Sequence, residues 1–295
     1  MLLWRTTLLD ELNLGLNLWA LGGTGLVAGL LGSALGVGGG VLIVPILTLA
    51  FHLPIHVAIG SSLVAIVANS CTAAGIYTKA RLTNVKLGLL LETATIPGAI
   101  IGGLAAAVIV PSILSALFGL VLLYVAYTMV VRRHLMSEDV LPADNSVAPN
   151  NLSSSLANSY YDQNLGKVVT YKVNHVPAGL GASFFAGVLS SLLGIGGGII
   201  KVPVMNLVMG LPMKAAIATS AFMIAITTTV GALIYHYYGN IYPFIVAPLI
   251  IGVVVGARLG VELAQRARGI LLRRIFGVFL FLAALLMFLK TANVI

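Results

Sequence analysis

The chain has 295 residues, of which 16 are Lys or Arg and 8 are Asp or Glu, so its formal net charge is +8. Only 8% of the residues are charged and 59% are hydrophobic, and the mean hydropathy is +1.08. Because a soluble domain carries about 25% charged residues, this composition excludes a water-soluble enzyme and predicts a polytopic membrane protein.

Apolar segments alternate with short polar turns along most of the chain. A spanning helix needs about 20 apolar residues, and the hydropathy pattern predicts four segments in each half. They cover 18–51, 55–78, 87–109 and 111–131, and then 176–209, 213–238, 242–264 and 270–290. We therefore predict an all-α, multi-pass protein of the cell membrane.

Two polar stretches divide the chain further. The first 17 residues contain Asp10 and Glu11 where a signal peptide needs an apolar core, so they indicate an interfacial segment. The stretch between the halves is rich in Asn, Ser and Pro, a composition typical of a mobile aqueous linker. The predicted units are an interfacial segment (1–17), a first transmembrane repeat (18–131), a cytoplasmic linker (132–174) and a second repeat (175–295).

The two halves are an internal sequence repeat. A shift of 158 residues aligns LGVGGG (35–40) with LGIGGG (193–198), and it aligns Pro45 with Pro203. Over residues 29–77, 20 of 49 positions are identical to their equivalents without a gap. Unrelated apolar helices would not keep one register over this length, so the pattern indicates a duplication.

The basic residues predict how the repeats are oriented. Inverted repeats place 12 of the 16 Lys and Arg residues on one side of the membrane, whereas parallel repeats would divide them between both sides. Since Lys and Arg concentrate in cytoplasmic loops, we predict inverted repeats with this basic face in the cytoplasm. Its residues are Lys79, Arg81, Lys86, Arg132, Arg133, Lys167, Lys172, Lys214, Arg266, Arg268, Arg273 and Arg274.

Inversion requires an odd number of crossings per repeat, although each repeat shows about four segments. The first segment of each repeat is long enough for a re-entrant hairpin or for two short spans. Its GxGGG run (36–40 and 194–198) marks the bend. The first segment is therefore predicted to be broken or re-entrant at these glycines.

The glycine runs are the first candidate site. Each glycine destabilises a helix interior by about 1 kcal/mol, and unwound backbone at membrane depth is tolerated only when buried in protein or lining a cavity. The helix that restarts after each run directs its N-terminal amides towards the break, which suits an anion. We predict a midplane anion site at Gly38, Gly39, Gly40, Gly196, Gly197 and Gly198. Close helix packing through glycine is the alternative.

Hydroxyl and ionisable side chains extend this candidate site. Hydroxyls can donate to an oxyanion, although they can also bond back to helical carbonyls. Lys201 follows the second glycine run by three residues and is predicted to supply a fixed positive charge, with snorkelling to the interface as the alternative. Glu92, placed towards the cytoplasmic face and away from the breaks, is a candidate for carrying a coupling proton. The predicted hydroxyls are those of Ser33, Ser191, Ser62 and Ser220.

The paired sequences GLLGSALGVGGGVLIVPIL (29–47) and GVLSSLLGIGGGIIKVPVM (187–205) resemble the sulfite exporter TauE/SafE family. The resemblance continues through both repeats and leaves out only residues 1–17 and 132–174. It implies an inverted-repeat secondary transporter that exports small sulfur-containing anions such as sulfite, thiosulfate or organosulfonates. Alternating access would take place around the midplane site.

The remaining expectations concern chemistry and partners. The sequence contains no recognisable nucleophile–base pair or nucleotide-binding motif, and Cys71 is its only cysteine, so we expect no enzyme activity, cofactor or metal. Small anions and the lipid bilayer are the expected partners, and nucleic acid is not. The oligomeric state stays open. A cation permease that coordinates its ion with unwound backbone carbonyls is the alternative function.

Overall fold

The computed structural model describes residues 14–131, 156–162, 166–266 and 280–287. The first repeat comprises α1 (Leu14–Leu35), α2 (Gly40–Leu49), α3 (Ile55–Lys79), α4 (Val85–Val108) and α5 (Pro111–Val131). The second comprises α6 (Val176–Leu193), α7 (Gly198–Pro203, continued by a π-helical turn over Val204–Val208), α8 (Met213–Tyr237), α9 (Pro243–Arg266) and helical residues 280–287. The predicted interfacial helix before residue 14 and the basic cluster after residue 266 lie outside the described residues.

Among the described helices, six are long and apolar enough to cross a membrane: α1, α3, α4, α6, α8 and α9. Large apolar side chains are exposed on their outer faces, including Leu89, Ile101, Leu233 and Ile251. Such a surface is stable against lipid and not against water. The prediction of an all-α, multi-pass membrane protein is therefore confirmed.

The helix bounds repeat with the period of the sequence. Adding 158 to the bounds of α3 and α4 gives those of α8 and α9. The contacts repeat as well, because α1 packs on α9 while its equivalent α6 packs on α4. Each repeat thus contributes its first helix to the other repeat, and the two halves interlock about a pseudo-twofold axis.

The equivalent helices α3 and α8 run antiparallel. Gly60 near the start of α3 lies beside Asn240, just beyond the end of α8, and Leu63 lies beside Gly231. At the other end, the amide of Asn84 after α3 donates to Thr219 near the start of α8 (3.0 Å). Equivalent helices with opposite directions are what inverted repeats require; the side of the membrane that each end faces stays a prediction.

At each glycine run the chain turns back on the helix that precedes it. The Gly32 carbonyl accepts hydrogen bonds from the amides of Val37 (2.9 Å) and Gly38 (3.2 Å), which closes the end of α1. Gly39 then lies against Ala28, more than a helical turn before that end. The first segment of each repeat is therefore a hairpin, which favours the re-entrant alternative.

Glycine allows the swapped helices to approach closely. A Cβ on Gly29 of α1 would meet the backbone of Val253 in α9, and one on the equivalent Gly187 would meet the backbone of Thr95 in α4. By contrast, a Cβ on Gly23, also in α1, would meet nothing within 4 Å. These interfaces are held by backbone contact of the kind that small residues permit between membrane helices.

The contrast within α1 gives a matched pair of variants. We expect Gly29→Ala to lower the free energy of unfolding by about 1–3 kcal/mol, because two backbones would have to separate. Gly23→Ala should be neutral or stabilising by up to about 1 kcal/mol, because alanine favours the helix and has room. Unfolding in detergent, followed by circular dichroism, measures both. Equal effects of the two substitutions would contradict the close approach of α1 and α9.

Part of the predicted mobile linker is ordered. Strands β1 (Asn158–Asp162) and β2 (Lys167–Tyr171) form an antiparallel hairpin whose Tyr160 and Val169 are buried. Asp162 pairs with Lys214 of α8 (2.8 Å), and burial, with the Asp162 carboxylate nearby, raises the pKa of Tyr160 to about 12. Composition alone did not reveal this hairpin, since its apolar side chains number only a few per strand.

Candidate functional site

The two glycine runs cross at the centre of the molecule. Gly38 and Gly196 each lie against the side chains of Ile66 in α3 and Ile224 in α8, which are equivalent residues. Gly196 also lies beside the carbonyl of Val37 in the other run. The pseudo-twofold axis therefore passes between the runs, and the structure brings the six predicted glycines together.

Backbone conformation explains why glycine occupies these positions. Gly39 has φ +88°, and a Cβ added to it would lie 2.6 Å from the carbonyl oxygen of Ala28. Its equivalent Gly197 has φ +73°, and a Cβ added there would lie 2.8 Å from the carbonyl oxygen of Ala186. Positive φ is the region that favours glycine, and the backbone contact excludes any side chain. The sharp reversal into α2 and into α7 depends on both properties.

The first residues of α2 and α7 face carbonyl groups of the other repeat. Gly40 at the start of α2 lies against the carbonyl oxygen of Gly194, and Gly198 at the start of α7 lies against that of Gly36. The positive end of each short helix is thus compensated by the negative end of a helix from the other repeat. In this conformation Ile66 and Ile224 lie against both runs.

Three of the four predicted serines bond to backbone carbonyls. Ser62 donates to Gly194 (2.9 Å) and Ser220 to Gly36 (3.0 Å), so these equivalent hydroxyls hold the two repeats together. Ser33 donates to Ala257 (3.1 Å). Each of these three carbonyls belongs to the other repeat. In this conformation the three hydroxyls therefore bond to carbonyl groups, which is the alternative to binding an oxyanion.

Other buried polar atoms, on the helices Ile55–Lys79 and Val176–Leu193, have no hydrogen-bond partner among the described residues. They are the hydroxyls of Ser61, Ser190 and Ser191 and the amide oxygen of Asn69. Ser190 lies beside Gly197, and Asn69 donates through its amide nitrogen to Gly38 (3.0 Å). Unpartnered buried polar atoms are rare, so Ser190 and Asn69, which lie beside the two runs, indicate a place where a ligand or water would bind.

Lys201 is fully buried and paired with an acid. Its Nζ lies 3.1 Å from Oε1 of Glu92, with side chains 0% and 3% exposed, and it donates to the hydroxyl of Thr227 (2.8 Å). The expectation that Glu92 lies away from the glycine breaks is wrong. Helices α4 and α8 run side by side and bring Glu92 to Thr227, and the extended stem of Lys201 reaches both.

This pairing also changes how Lys201 is interpreted. It does not snorkel to the interface, and its charge is compensated in the observed conformation. Thr227 hydrogen-bonds to both charged residues. In the sequence, Thr227 and its equivalent Asn69 in the other repeat are weaker candidates for the site, as the next polar positions after the predicted serines. Among the described residues, no group of three or more His, Cys, Asp or Glu could hold a metal ion.

These features define a class of protein: a multi-pass membrane protein whose swapped repeats bring two broken segments and a buried ion pair to its centre. A family model described as "Sulfite exporter TauE/SafE" matches residues 21–287. The chain therefore belongs to the TauE/SafE family of membrane transporters, and the resemblance seen in the sequence is confirmed.

Two other proteins are similar to this chain over most of their length. "Probable membrane transporter protein YunE" of Bacillus subtilis is 28% identical over 249 residues, 82% of this chain and 86% of that protein. "Probable membrane transporter protein MJ0441" of Methanocaldococcus jannaschii is 27% identical over 257 residues, 82% of this chain and 84% of that protein. No solved structure matches the chain.

Proposed function

We propose that this protein is a secondary transporter that exports small sulfur-containing anions, such as sulfite, thiosulfate or organosulfonates, by alternating access around the central site. The observation that carries the proposal is that two buried polar atoms beside the glycine runs, the Ser190 hydroxyl and the Asn69 amide oxygen, have no hydrogen-bond partner among the described residues. Hydroxyls of this kind can donate to an oxyanion and release it again, since they carry no fixed charge. The family description, a sulfite exporter, supports the choice of sulfur anions.

The packing of two isoleucines against the glycine runs supports alternating access. Ile66 and Ile224 occupy the axis between the glycine runs, so a substrate reaches the site only when the two repeats move apart at one end. The repeats are joined at this point by the Ser62 and Ser220 hydrogen bonds. Rocking of one repeat against the other would break these few bonds in turn, as inverted-repeat transporters do.

The hydroxyls give a direct test of the site. We expect Ser191→Ala to leave stability unchanged, because its hydroxyl has no partner to lose. It should weaken anion binding about 10–150-fold, the effect of one hydrogen bond to a charged ligand. Tryptophan fluorescence in detergent measures binding of sulfite, thiosulfate, taurine and chloride, and tracer flux into proteoliposomes measures transport.

The matched control is Thr229→Ala, which removes an exposed hydroxyl bonded within α8 to Ala225 and should leave binding unchanged. An unaltered affinity for every anion in Ser191→Ala would remove Ser191 from the site. Binding and flux of a cation such as Na⁺, with none of the four anions bound, would overturn the proposed function in favour of a cation permease.

A further inference from the structure

A buried ion pair joins the two repeats in this protein. Glu92 belongs to the first repeat, and Lys201 and Thr227 belong to the second. The hydroxyl oxygen of Thr227 lies 2.8 and 3.0 Å from the two carboxylate oxygens of Glu92, in addition to the contact with Lys201. An ammonium and a hydroxyl thus surround a carboxylate as they would surround any small oxyanion.

The fold itself does not need these charges, as the duplication shows. The equivalents of Lys201 and Glu92 in the opposite repeats are Ile43 and Ile250, and Ile43 is fully buried. The equivalent positions therefore hold an ion pair in one case and two isoleucines in the other. Since buried ion pairs seldom stabilise more than apolar residues of similar size, the pair indicates a role other than stability.

Lys201 is the only described charge that faces Glu92. On α4 the other charged residue is Lys86, which is exposed near the helix start, and α6 carries none. On α8, Lys214 is paired with Asp162 and His236 is exposed near the far end. The π-helical turn after α7 contains no charged residue. Among the described residues, Lys201 is therefore the charge that compensates the Glu92 carboxylate.

We propose that the Glu92 carboxylate occupies, in the absence of substrate, the oxyanion subsite formed by Lys201 and Thr227, and that a monoanionic substrate displaces it together with uptake of one proton by Glu92. This inference rests on the proposed function and adds the subsite and the coupling ion. The empty site holds one cation and one anion. The loaded site holds Lys201 as a cation, the substrate anion and a neutral Glu92.

Charge balance gives the reason for the proton. If Glu92 stayed ionised next to the bound anion, the site would carry a net negative charge away from water, which is strongly unfavourable. Protonation keeps the net charge of the site at zero in both states. One proton and one monoanion then cross the membrane together without net movement of charge, so export requires an outward gradient of the substrate that exceeds any inward gradient of protons.

The test uses the full-length protein in proteoliposomes with methanesulfonate, a sulfonate that stays a monoanion over the working pH range. Tracer flux and a pH-sensitive dye inside the vesicles are recorded together. We expect one proton per methanesulfonate, accumulation driven by a pH gradient, and no response to a potassium–valinomycin potential. Because binding takes up a proton, affinity should fall about tenfold per pH unit as the pH rises.

Glu92→Gln holds residue 92 in a neutral form and separates coupling from binding. It should bind methanesulfonate at least as tightly as the unmodified protein, with affinity independent of pH, and lose accumulation driven by a pH gradient. The double variant Lys201→Ile/Glu92→Ile, which copies the apolar arrangement of the other repeat, should fold and bind the anion at least tenfold more weakly. Thr93→Ala, which alters an exposed neighbour on α4, is the control.

Methanesulfonate flux without proton movement would overturn this inference while leaving the proposed function intact. So would pH-driven accumulation by Glu92→Gln at the unmodified stoichiometry, or full-strength binding by the double variant. Absence of methanesulfonate flux would overturn the inference for sulfonates. If the protein neither transported methanesulfonate nor bound sulfite or thiosulfate, the proposed function would be overturned as well.

Discussion

Replacing Lys201 by isoleucine alone should destabilise the protein by about 3–5 kcal/mol, because the carboxylate of Glu92 would remain buried without its cation. Glu92→Ile should have a similar effect, since it leaves the ammonium unpaired. The double variant should recover most of this loss, because two isoleucines fill the equivalent site in the other repeat. Denaturation in detergent micelles, followed by tryptophan fluorescence, gives the free energies of all four proteins for a double-mutant cycle.

A second ion pair of the chain provides the comparison. Lys214 pairs with Asp162 where its side chain is 26% exposed, and partly exposed pairs contribute about 0–1 kcal/mol. Lys214→Ala should therefore have a small effect. The buried character of the central pair would be contradicted if Lys201→Ile were no more destabilising than Lys214→Ala, or if the double variant were as unstable as the sum of the single variants.

The second large effect is expected at the glycine reversal before α7. Gly197→Ala should lower the free energy of unfolding by about 2–5 kcal/mol, enough to prevent folding at the upper end. Alanine at positive φ costs about 1–2 kcal/mol, and its Cβ would press on the carbonyl of Ala186 at 2.8 Å, which adds about 1–3 kcal/mol of overpacking. Thermal unfolding monitored by size-exclusion chromatography measures the loss.

Gly239 is a matched control for the backbone contribution. It also has φ +73°, but an added Cβ would meet nothing within 4 Å. Gly239→Ala should therefore show only the conformational penalty, and the difference between the two variants measures the packing at the crossing of the runs. Indistinguishable unfolding temperatures would mean that Gly197 is needed for its dihedral angles alone.

Local sequence patterns were sufficient for the architecture of each half. Long apolar segments with polar turns predict membrane helices because lipid requires every backbone group to bond within its own segment. The glycine runs predict breaks because consecutive glycines do not sustain a helix. Both inferences depend on residues that are neighbours in the chain, and in the described residues the helices and the reversals lie where these patterns indicate.

Only part of the candidate site could be predicted from residues that are neighbours in the chain. The six glycines of the site were found because the duplication repeats them. The roles of the serines could not be assigned, because a hydroxyl bonds to a carbonyl or remains unpartnered according to what packs against it. Ser33 and Ser191 are equivalent in sequence, yet Ser33 bonds to Ala257 while Ser191 has no described partner.

By itself, the sequence determined that this is a duplicated membrane protein with two broken segments, since composition, periodicity and repeat register are properties of the chain alone. Only the tertiary structure decided that Glu92 meets Lys201, residues 109 positions apart. Counting residues along α4 alone placed Glu92 away from the glycine breaks. The crossing of α4 with α8 and the reach of a lysine stem are relations between helices, and these set which charges share the centre.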